Sequence, residues 1–231
     1  MGKIEKASAV ILGAGAGTRI GGIVKKQFVE INGLPVLFHS ISQFEKSGYV
    51  GEIIVVVSKD DLAFIQSRMA DQSFSKVSRV VAGGVERHDS VQKGLVYSSP
   101  KYNLVAIHDG VRPFVSEEKI TQVIKAAGTF GAAILGVRPK NTIKQVADSK
   151  IDKTIDRQHL IEAQTPQVFR KEILRRAFDH AQKVKDFGTD DASLVEKINI
   201  PVHVVEGDYL NIKITSTEDL QFAKFIIGGC N

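Results

Sequence analysis

Cysteine is almost absent from this chain, whose 231 residues contain only Cys230. A single thiol excludes an intramolecular disulfide framework and any site in which several cysteines bind zinc or an iron–sulfur cluster. Long apolar runs are also missing, since the run at 53–57 is far below the roughly 18 residues that span a bilayer. The charged N-terminus leads into glycine-rich sequence and not into a signal peptide. We therefore expect a cytoplasmic protein with no membrane partner.

Tryptophan is absent too, and the basic residues are scattered along the chain. The formal net charge of +5 favours anionic partners. No stripe of basic residues interleaved with aromatic ones is present, however, so we expect no nucleic-acid partner. The content of 43% hydrophobic and 25% charged residues is that of a globular protein and excludes extended disorder and coiled coil.

Short β-branched runs alternate with amphipathic segments along the chain. The predicted strands lie at 9–12, 53–57, 77–81, 104–107, 132–137, 202–205 and 211–215. The predicted helices lie at 36–46, 60–71, 89–97, 117–129, 171–183, 190–198 and 217–227, with Ser116 at the start of the fourth. This alternation indicates an α/β fold with a mostly parallel, doubly wound sheet. No repeat or low-complexity linker divides the chain, so a single domain over 1–231 is predicted.

Residues 138–164 break this alternation. Short β-like pieces are separated there by a turn cluster, Asp148-Ser149-Lys150, and the segment is too hydrophilic to be core. It is predicted to be a polar hairpin. One interpretation is a surface excursion, and the other is a β-arm that packs on another subunit, because an isolated hairpin is poorly stable.

The first strand leads into a glycine-rich turn at 13–17 (GAGAG), which is a typical way to bring backbone N–H groups close to phosphate. The dinucleotide fingerprint fails because Thr18 replaces its third glycine, and the P-loop fails because no Gly-Lys-Ser/Thr follows. Arg19 and Lys26 lie in the same excursion, and two cations after a phosphate cradle fit a polyphosphate site. The alternatives are a tight connection and two solvated surface cations.

Two further turns follow predicted strands. At 83–87 (GGVER) a double glycine allows close approach of a flat ligand such as a base, and Ser90 could bind that ligand or belong only to a helix start. At 108–113 (HDGVRP) Asp109 ends a strand, where ligands gather in open α/β sheets, with Arg112 close behind. Asp109 is a natural Mg²⁺ ligand or else a turn cap, whereas His108 is expected to pack or hydrogen-bond.

Other charged residues are ambiguous by themselves. Arg157 lies on the polar hairpin, and Lys213 alternates with two isoleucines, so that it is expected to face a polar cleft. The segment 189–191 (TDD) resembles a helix N-cap. No Ser–His–Asp set, cysteine nucleophile or carboxylate pair stands out. Glycines, several cations and one carboxylate favour transfer of phosphoryl or nucleotidyl groups by positioning and charge neutralisation.

Taken together and in order, these motifs resemble the 2-C-methyl-D-erythritol 4-phosphate cytidylyltransferase family of the non-mevalonate isoprenoid pathway. The matching segments are LGAGAGTRIG (12–21), KKQF (25–28), GGVERHDSV (83–91), HDGVRPF (108–114), TIDR (154–157), AQTPQVF (163–169), TDDASLVE (189–196) and LNIKIT (210–215). The resemblance implies a Rossmann-like nucleotidyltransferase domain with a protruding β-arm that interlocks a homodimer. It also implies that CTP and methylerythritol phosphate, a sugar-alcohol phosphate, give a CDP-linked alcohol and pyrophosphate.

The resemblance assigns residues to three groups by position. The nucleotide-binding residues implied are Ala14, Gly15, Ala16, Gly17, Gly84, Ser90 and Gly110. The catalytic cations implied are Arg19 and Lys26, which stabilise the α-phosphate and the leaving pyrophosphate, and Arg157 (from the partner's arm) and Lys213, which position the attacking phosphate. The substrate-binding residues implied are Asp109, Arg112, Thr142 and Thr165, with Asp109 also holding Mg²⁺ as the cofactor.

Three positions depart from the family pattern. Lys25 stands where proline is common, so that it could share the role of Lys26; Val85 and Leu210 stand where acids often occur. A sister enzyme, ribitol-5-phosphate cytidylyltransferase of teichoic-acid synthesis, shares most of these motifs. More distant alternatives are an NAD-binding oxidoreductase and a non-catalytic nucleotide-binding module.

Overall fold

The computed structural model describes residues 5–15 and 24–228. The strands are β1 (Ala7–Gly13), β2 (Glu30–Ile31), β3 (Leu34–Pro35), β4 (Val50–Val57), β5 (Val77–Ala82), β6 (Leu104–Asp109), β7 (Ala132–Val137), β8 (Ile143–Ala147), β9 (Lys150–Ile155), β10 (Glu162–Arg170) and β11 (His203–Glu206). The helices are α1 (Val36–Lys46), α2 (Leu62–Ala70), α3 (Arg87–Tyr97), α4 (Glu117–Phe130), α5 (Lys171–Val184), α6 (Asp191–Glu196) and α7 (Thr217–Gly228). Among these helices none is long and apolar enough to cross a membrane.

Seven strands form the central sheet in the order β11-β7-β10-β6-β1-β4-β5. Every neighbouring pair is parallel except those of β10, which lies antiparallel between β6 and β7. The predicted mostly parallel α/β fold is confirmed. Its buried strands are continuous β-branched runs because both faces of the sheet are covered.

The two faces of the sheet pack against different helices. On β1, Ile11 packs with residues of α1, α2 and α4, whereas the adjacent Val10 packs with residues of α3, α5 and α6. Successive side chains of a strand point to opposite faces, so each strand contributes to both apolar layers. A third, smaller cluster joins α7 to the β2–β3 ribbon.

The start of α4 is as the sequence predicts. Ser116 is its N-cap and accepts a hydrogen bond from the backbone N–H of Lys119 at 3.2 Å. The helix ends at Gly131, whose φ of +92° lies in the region that side chains rarely adopt. The helix therefore starts and stops where its sequence provides the appropriate residues.

Three sequence predictions need correction. Residues 211–215 form no strand; they are a loop, in which Ile214 is buried and its N–H donates to the carbonyl of Val111. The hairpin is shorter than 138–164, because only β8 and β9 pair with each other and β10 already belongs to the central sheet from Glu162. Strand β10 and the β2–β3 ribbon are absent from the sequence prediction.

Candidate active site

A pocket lies where β1, β5 and β6 end at the same edge of the sheet. Its lining residues are Leu12, Gly13, Ala14, Gly15, Lys26, Gln27, Gly84, Val85, Glu86, Arg87, Ser90, Asp109, Val111 and Lys213. This is the edge at which parallel α/β sheets bind ligands. The pocket combines apolar walls, glycine backbone and three cations with a buried carboxylate.

Glycine at two positions allows close contacts around this pocket. A Cβ on Gly110 would lie 2.8 Å from the carbonyl oxygen of Leu12, to which Gly110 donates its N–H. A Cβ on Gly83 would lie 2.6 Å from Oγ of Ser90 and 2.7 Å from Cβ of Ala14. Side chains there would separate the ends of β1, β5 and β6, so glycine is required for the strand ends to meet.

Asp109 is the buried carboxylate of the pocket. Its Oδ2 lies 2.9 Å from Nζ of Lys213 and 3.8 Å from Nε of Arg112, and its Oδ1 lies 3.6 Å from Nε of Arg87. Burial alone raises the pKa of Asp109, but Arg87, Lys213 and Arg112 outweigh it and lower that pKa to about 2. Asp109 is therefore ionised at neutral pH and holds three cations around it.

Arg87 is held between two acids. Its guanidinium donates to Oδ2 of Asp191 at 2.8 Å, and it also faces Asp109. Burial lowers the pKa of Arg87, but the two acids more than reverse this, so the guanidinium stays charged. Gln167 in turn accepts the backbone N–H groups of Asp191 and Ala192 at 3.1 and 3.0 Å.

Arg87 and Asp191 have no site role in the sequence-based prediction. The segment 189–191 was assigned as a helix start, which is correct for Asp190, the N-cap of α6. The sequence offers a weak signal for them, because both residues lie in segments that carry the family resemblance. Their contact spans 104 positions, and no local pattern reveals it.

Two adjacent lysines have different surroundings. Lys26 lines the pocket, and its pKa is lowered by burial and by the nearby charge of Lys213, against the opposing effects of Asp109 and Asp219. Lys25 points elsewhere, since its Nζ lies 2.6 Å from Asp61 and 3.2 Å from Ser58. The structure thus separates these lysines and places only Lys26 in the pocket wall.

Behind Asp109, a buried hydrogen-bond chain fixes the end of β6. Thr165 Oγ1 accepts the backbone N–H of Asp109 at 3.1 Å and lies 3.0 Å from Nδ1 of His108. Nε2 of His108 donates to the carbonyl of Arg112, which leaves Nδ1 as the acceptor of the Thr165 hydroxyl. Burial lowers the pKa of His108 to about 4, so this imidazole is neutral, and its expected hydrogen-bonding role is observed.

The loop that carries Lys213 is anchored to the same region. Arg112 donates to the carbonyl of Asn211 at 2.7 Å, and the Asn211 amide donates to Gln164 and to the carbonyl of Thr165. Lys213 therefore faces Asp109 although its segment is a loop and not the predicted strand.

A metal ion would find one good ligand here. Within residues 5–15 and 24–228, no three His, Cys, Asp or Glu side chains form a group that could hold a metal. Mg²⁺ commonly takes only one or two carboxylates and completes its shell with phosphate oxygens and water. The ionised oxygens of Asp109 therefore fit a Mg²⁺ that enters with a polyphosphate.

A sequence model of the 2-C-methyl-D-erythritol 4-phosphate cytidylyltransferase family matches residues 7–229. The chain belongs to this family. A protein of that name from Syntrophus aciditrophicus is 42% identical over 221 residues, covering 95% of this chain and 94% of that protein. Another from Caldanaerobacter subterraneus subsp. tengcongensis is 42% identical over 222 residues, covering 95% and 98%. The family resemblance of the sequence motifs is confirmed.

Solved structures agree with the fold. The crystal structure of 4-diphosphocytidyl-2C-methyl-D-erythritol synthase from Anaerococcus prevotii is similar at a TM-score of 0.86, with 32% identity and 97% of each chain covered. The cytidylyltransferase structure from Thermus thermophilus has a TM-score of 0.79 at 27% identity, covering 97% of this chain and all of that one.

In this member of the cytidylyltransferase family, the predicted site residues fall into four groups. Those in the pocket wall are Ala14, Gly15, Lys26, Gly84, Ser90, Asp109 and Lys213. Those just behind it are Gly110, Arg112 and Thr165. Arg157 and Thr142 are exposed at the base of the hairpin and are not among the residues that line this pocket. Arg19, Ala16 and Gly17 lie outside the described residues.

Ser90 and Arg157 each have a defined hydrogen-bond partner. Oγ of Ser90 accepts the backbone N–H of Gly84 at 3.1 Å, so Ser90 shapes the glycine turn in addition to any ligand contact. Arg157 donates to the carbonyl of Lys140 beside Arg138 and His159, which forms a basic surface at the base of the hairpin.

Proposed function

We propose that this chain transfers the cytidylyl group of CTP to 2-C-methyl-D-erythritol 4-phosphate, giving 4-diphosphocytidyl-2-C-methyl-D-erythritol and pyrophosphate in isoprenoid precursor biosynthesis. The observation that carries the proposal is the family match over residues 7–229. The cationic pocket around Asp109 supports it, because two anionic reactants must be brought together there.

The reaction needs charge neutralisation more than proton transfer. A phosphate oxygen of methylerythritol phosphate forms a bond to the α-phosphorus of CTP, and the bond from that phosphorus to the bridging oxygen of pyrophosphate breaks. The nucleophile is already an anion, so a strong general base is not required. Preorganised cations stabilise the charge that builds up on the α-phosphate and the leaving group.

The chain's residues divide this task between two sides of the pocket. On the nucleotide side, the backbone of residues 14–17 and 110 and the turn formed by Gly84 and Ser90 would hold CTP, while Lys26 and Arg19 would stabilise the transferred and leaving phosphates. On the acceptor side, Lys213 would hold the attacking phosphate, with Asp109, Arg112 and Thr165 behind it keeping it in place.

A divalent cation fits the same arrangement. Asp109 would contact a Mg²⁺ that arrives with the triphosphate, or contact the acceptor substrate directly. Bound there, Mg²⁺ would offset the negative charge of the phosphates. Lys213 and Arg87, which share Asp109 as their counter-ion, would lie beside it with their charges toward the phosphate groups.

We propose that the β8–β9 hairpin contacts a second subunit. Strands β8 and β9 pair only with each other and expose Val146 and Ile151, which lie opposite one another. Exposed apolar side chains on a protruding element favour contact with another chain. We assign Arg157 and Thr142, at its base, to the acceptor site of the partner in a homodimer. The single domain over 1–231 and the cytoplasmic location stay predictions, and the proposed dimer arm is limited to the β8–β9 hairpin.

The proposal is tested by pyrophosphate release with Mg²⁺ and each of the four nucleoside triphosphates. Methylerythritol 4-phosphate and ribitol 5-phosphate are offered separately as acceptors. Release with CTP and methylerythritol phosphate alone is expected. Release with ribitol phosphate alone would keep the chemistry and move the enzyme to teichoic-acid synthesis, and a folded chain silent with both acceptors would refute the catalytic assignment.

A further inference from the structure

Gln27 is a buried side chain immediately after Lys26. Only 2% of it is exposed, and it lies in a short 3₁₀ turn, Lys26–Phe28, that follows the glycine-rich segment in the chain. Its Nε2 donates to the carbonyl oxygens of Gly13 at 2.9 Å and Gly15 at 3.1 Å. The two hydrogens of one amide group are therefore donated to two carbonyl oxygens, one at the end of β1 and one just after it.

These bonds change what the glycine segment offers to an anion. Carbonyl oxygens carry partial negative charge and would repel a nearby phosphate. With both oxygens engaged by Gln27, their negative ends are neutralised by a donor from the protein itself. A phosphate approaching Ala14 and Gly15, which line the pocket, meets less repulsion.

The residues on both sides of Lys26 are anchored. Lys25 is tied to Asp61 and Ser58 near the end of β4, and the ring of Phe28 packs edge to face against Phe64 at 5.8 Å. Gln27 supplies the third anchor, to the end of β1. Lys26 is thus held between fixed neighbours, and within residues 5–15 and 24–228 it forms no ion pair.

We propose that Gln27 is a positioning residue for the triphosphate. It ties Lys26 to the glycine segment, so that the cation and the backbone reach the same phosphates. This rests on the proposed function, which places the triphosphate of CTP at this segment. Glutamate would not serve, because an ionised carboxylate offers no donor to two carbonyl oxygens and would add a buried charge.

The experiment compares the binding of CTP and CMP, each with Mg²⁺, by isothermal titration calorimetry. The variants are Gln27→Met, which keeps the approximate shape without donors, and Gln27→Glu, which keeps the shape and reverses the polarity. Ser8→Ala is the matched control, because Ser8 is also buried and lies on β1, where its hydroxyl donates to Glu52 at the end of the strand opposite to the one that Gln27 contacts. Thermal unfolding of each variant monitors its fold.

We expect both Gln27 variants to bind CTP about tenfold or more weakly, because buried carbonyls lose their donor and the glycine segment loses its link to Lys26. Their affinity for CMP, which lacks the two outer phosphates, should stay within about twofold of the wild type. Ser8→Ala should be less stable but bind both nucleotides normally. A folded Gln27→Met variant with unchanged affinity for CTP would overturn the proposal, and so would equal losses for CTP and CMP.

Nucleotide binding and pyrophosphate release by the wild-type chain distinguish a failure of this proposal from a failure of the proposed function. If the wild-type protein binds CTP no more tightly than CMP and releases no pyrophosphate, the chain has no triphosphate site, and both proposals are refuted. Wild-type protein that turns over CTP, with Gln27 variants of normal CTP affinity, would overturn only the role of Gln27.

Discussion

Lys25 and Lys26 show how neighbouring residues of the same type acquire different roles. Lys25 is paired with Asp61, whereas Lys26 lines the pocket beside Asp109 and Lys213. The role of each lysine therefore depends on its surroundings: an ion pair engages Lys25, whereas Lys26 faces the pocket. Sequence alone left it open which lysine serves the site.

We predict that Lys26→Met lowers turnover by about 10²–10³-fold, the usual cost of removing one group that stabilises transition-state charge. Arg19→Ala should have a comparable effect. Lys25→Met should cost far less, because its charge is already balanced by Asp61. Steady-state pyrophosphate release with CTP and methylerythritol phosphate measures all three. Equal losses at positions 25 and 26, or near-normal turnover of both the Arg19 and the Lys26 variant, would contradict these roles.

His108 leads to a prediction about acid stability. Its pKa in the folded chain is about 4, below its ordinary 6.5, because burial disfavours the charged ring. The unfolded chain therefore binds a proton at His108 more readily than the folded chain does. The free energy of unfolding is not reduced by this group above pH 6.5, and it decreases as the pH falls from 6.5 towards 4.

We therefore expect NMR titration of the imidazole to show a neutral ring with Nε2 protonated at neutral pH, titrating only near pH 4. The free energy of unfolding should fall over the same range, and less steeply in His108→Gln. A ring that titrates near 6.5 in the folded chain would show that His108 is not buried as described.

Among the strands, the continuous apolar ones and the polar hairpin were predictable, whereas the buried but polar strand β10 was not. The parallel strands β1, β4, β6 and β7 are continuous apolar runs because helices cover both faces. Strand β10 escaped detection because its inner half contains Gln164, Thr165 and Gln167. These side chains are buried and form hydrogen bonds to the Asn211 loop, to Asp109 and to α6. In the sequence, such a run of polar residues is typical of a loop.

The loop at 211–215 was mistaken for the opposite reason. Its Ile-Lys-Ile alternation is typical of a strand, yet Ile214 is buried in the cluster with α7, and the segment pairs with no strand. The direction of Lys213 was nevertheless inferred correctly. In the pocket, the glycine turn, Asp109 and Lys213 could be found from their places after strands and from the family resemblance. The Arg87–Asp191 pair required the fold.

The β8–β9 hairpin gives a further prediction. Replacing residues 143–155 with a short Gly-Ser turn should leave the seven-stranded sheet intact, because neither strand pairs with it. The shortened chain should become monomeric and lose most of its turnover. Light scattering after size exclusion and circular dichroism measure both properties. A folded, fully active monomer would refute the assignment of the hairpin to a partner's site.

The whole molecule is proposed to be a homodimer in which each site takes Arg157 from the other chain. Two inactive variants, Lys26→Ala and Arg157→Ala, should then complement one another. In a mixed dimer the two defects fall in the same site, and the other site is intact. Because half of randomly formed dimers are mixed and each has one intact site, about a quarter of wild-type activity should return.

The mixture is prepared by co-unfolding and refolding equal amounts of the two variants, and pyrophosphate release is measured. Each variant refolded alone is the control. Mixtures that stay as inactive as the separate variants, in a sample shown to contain mixed dimers, would place Arg157 in the site of its own chain or outside catalysis.

The strand order also has a consequence for folding during synthesis. Strands β1, β4, β5 and β6 are adjacent in the sheet and are all encoded before residue 110. Thr165 and Lys213, which bind Asp109, emerge from the ribosome later, after roughly 5–20 s for Lys213 at typical rates of synthesis. A chain released early could pair β1, β4, β5 and β6 while Asp109 lacked two of its partners. The set of three cations around Asp109 is therefore completed only when the last third of the chain adds Lys213 to Arg87 and Arg112.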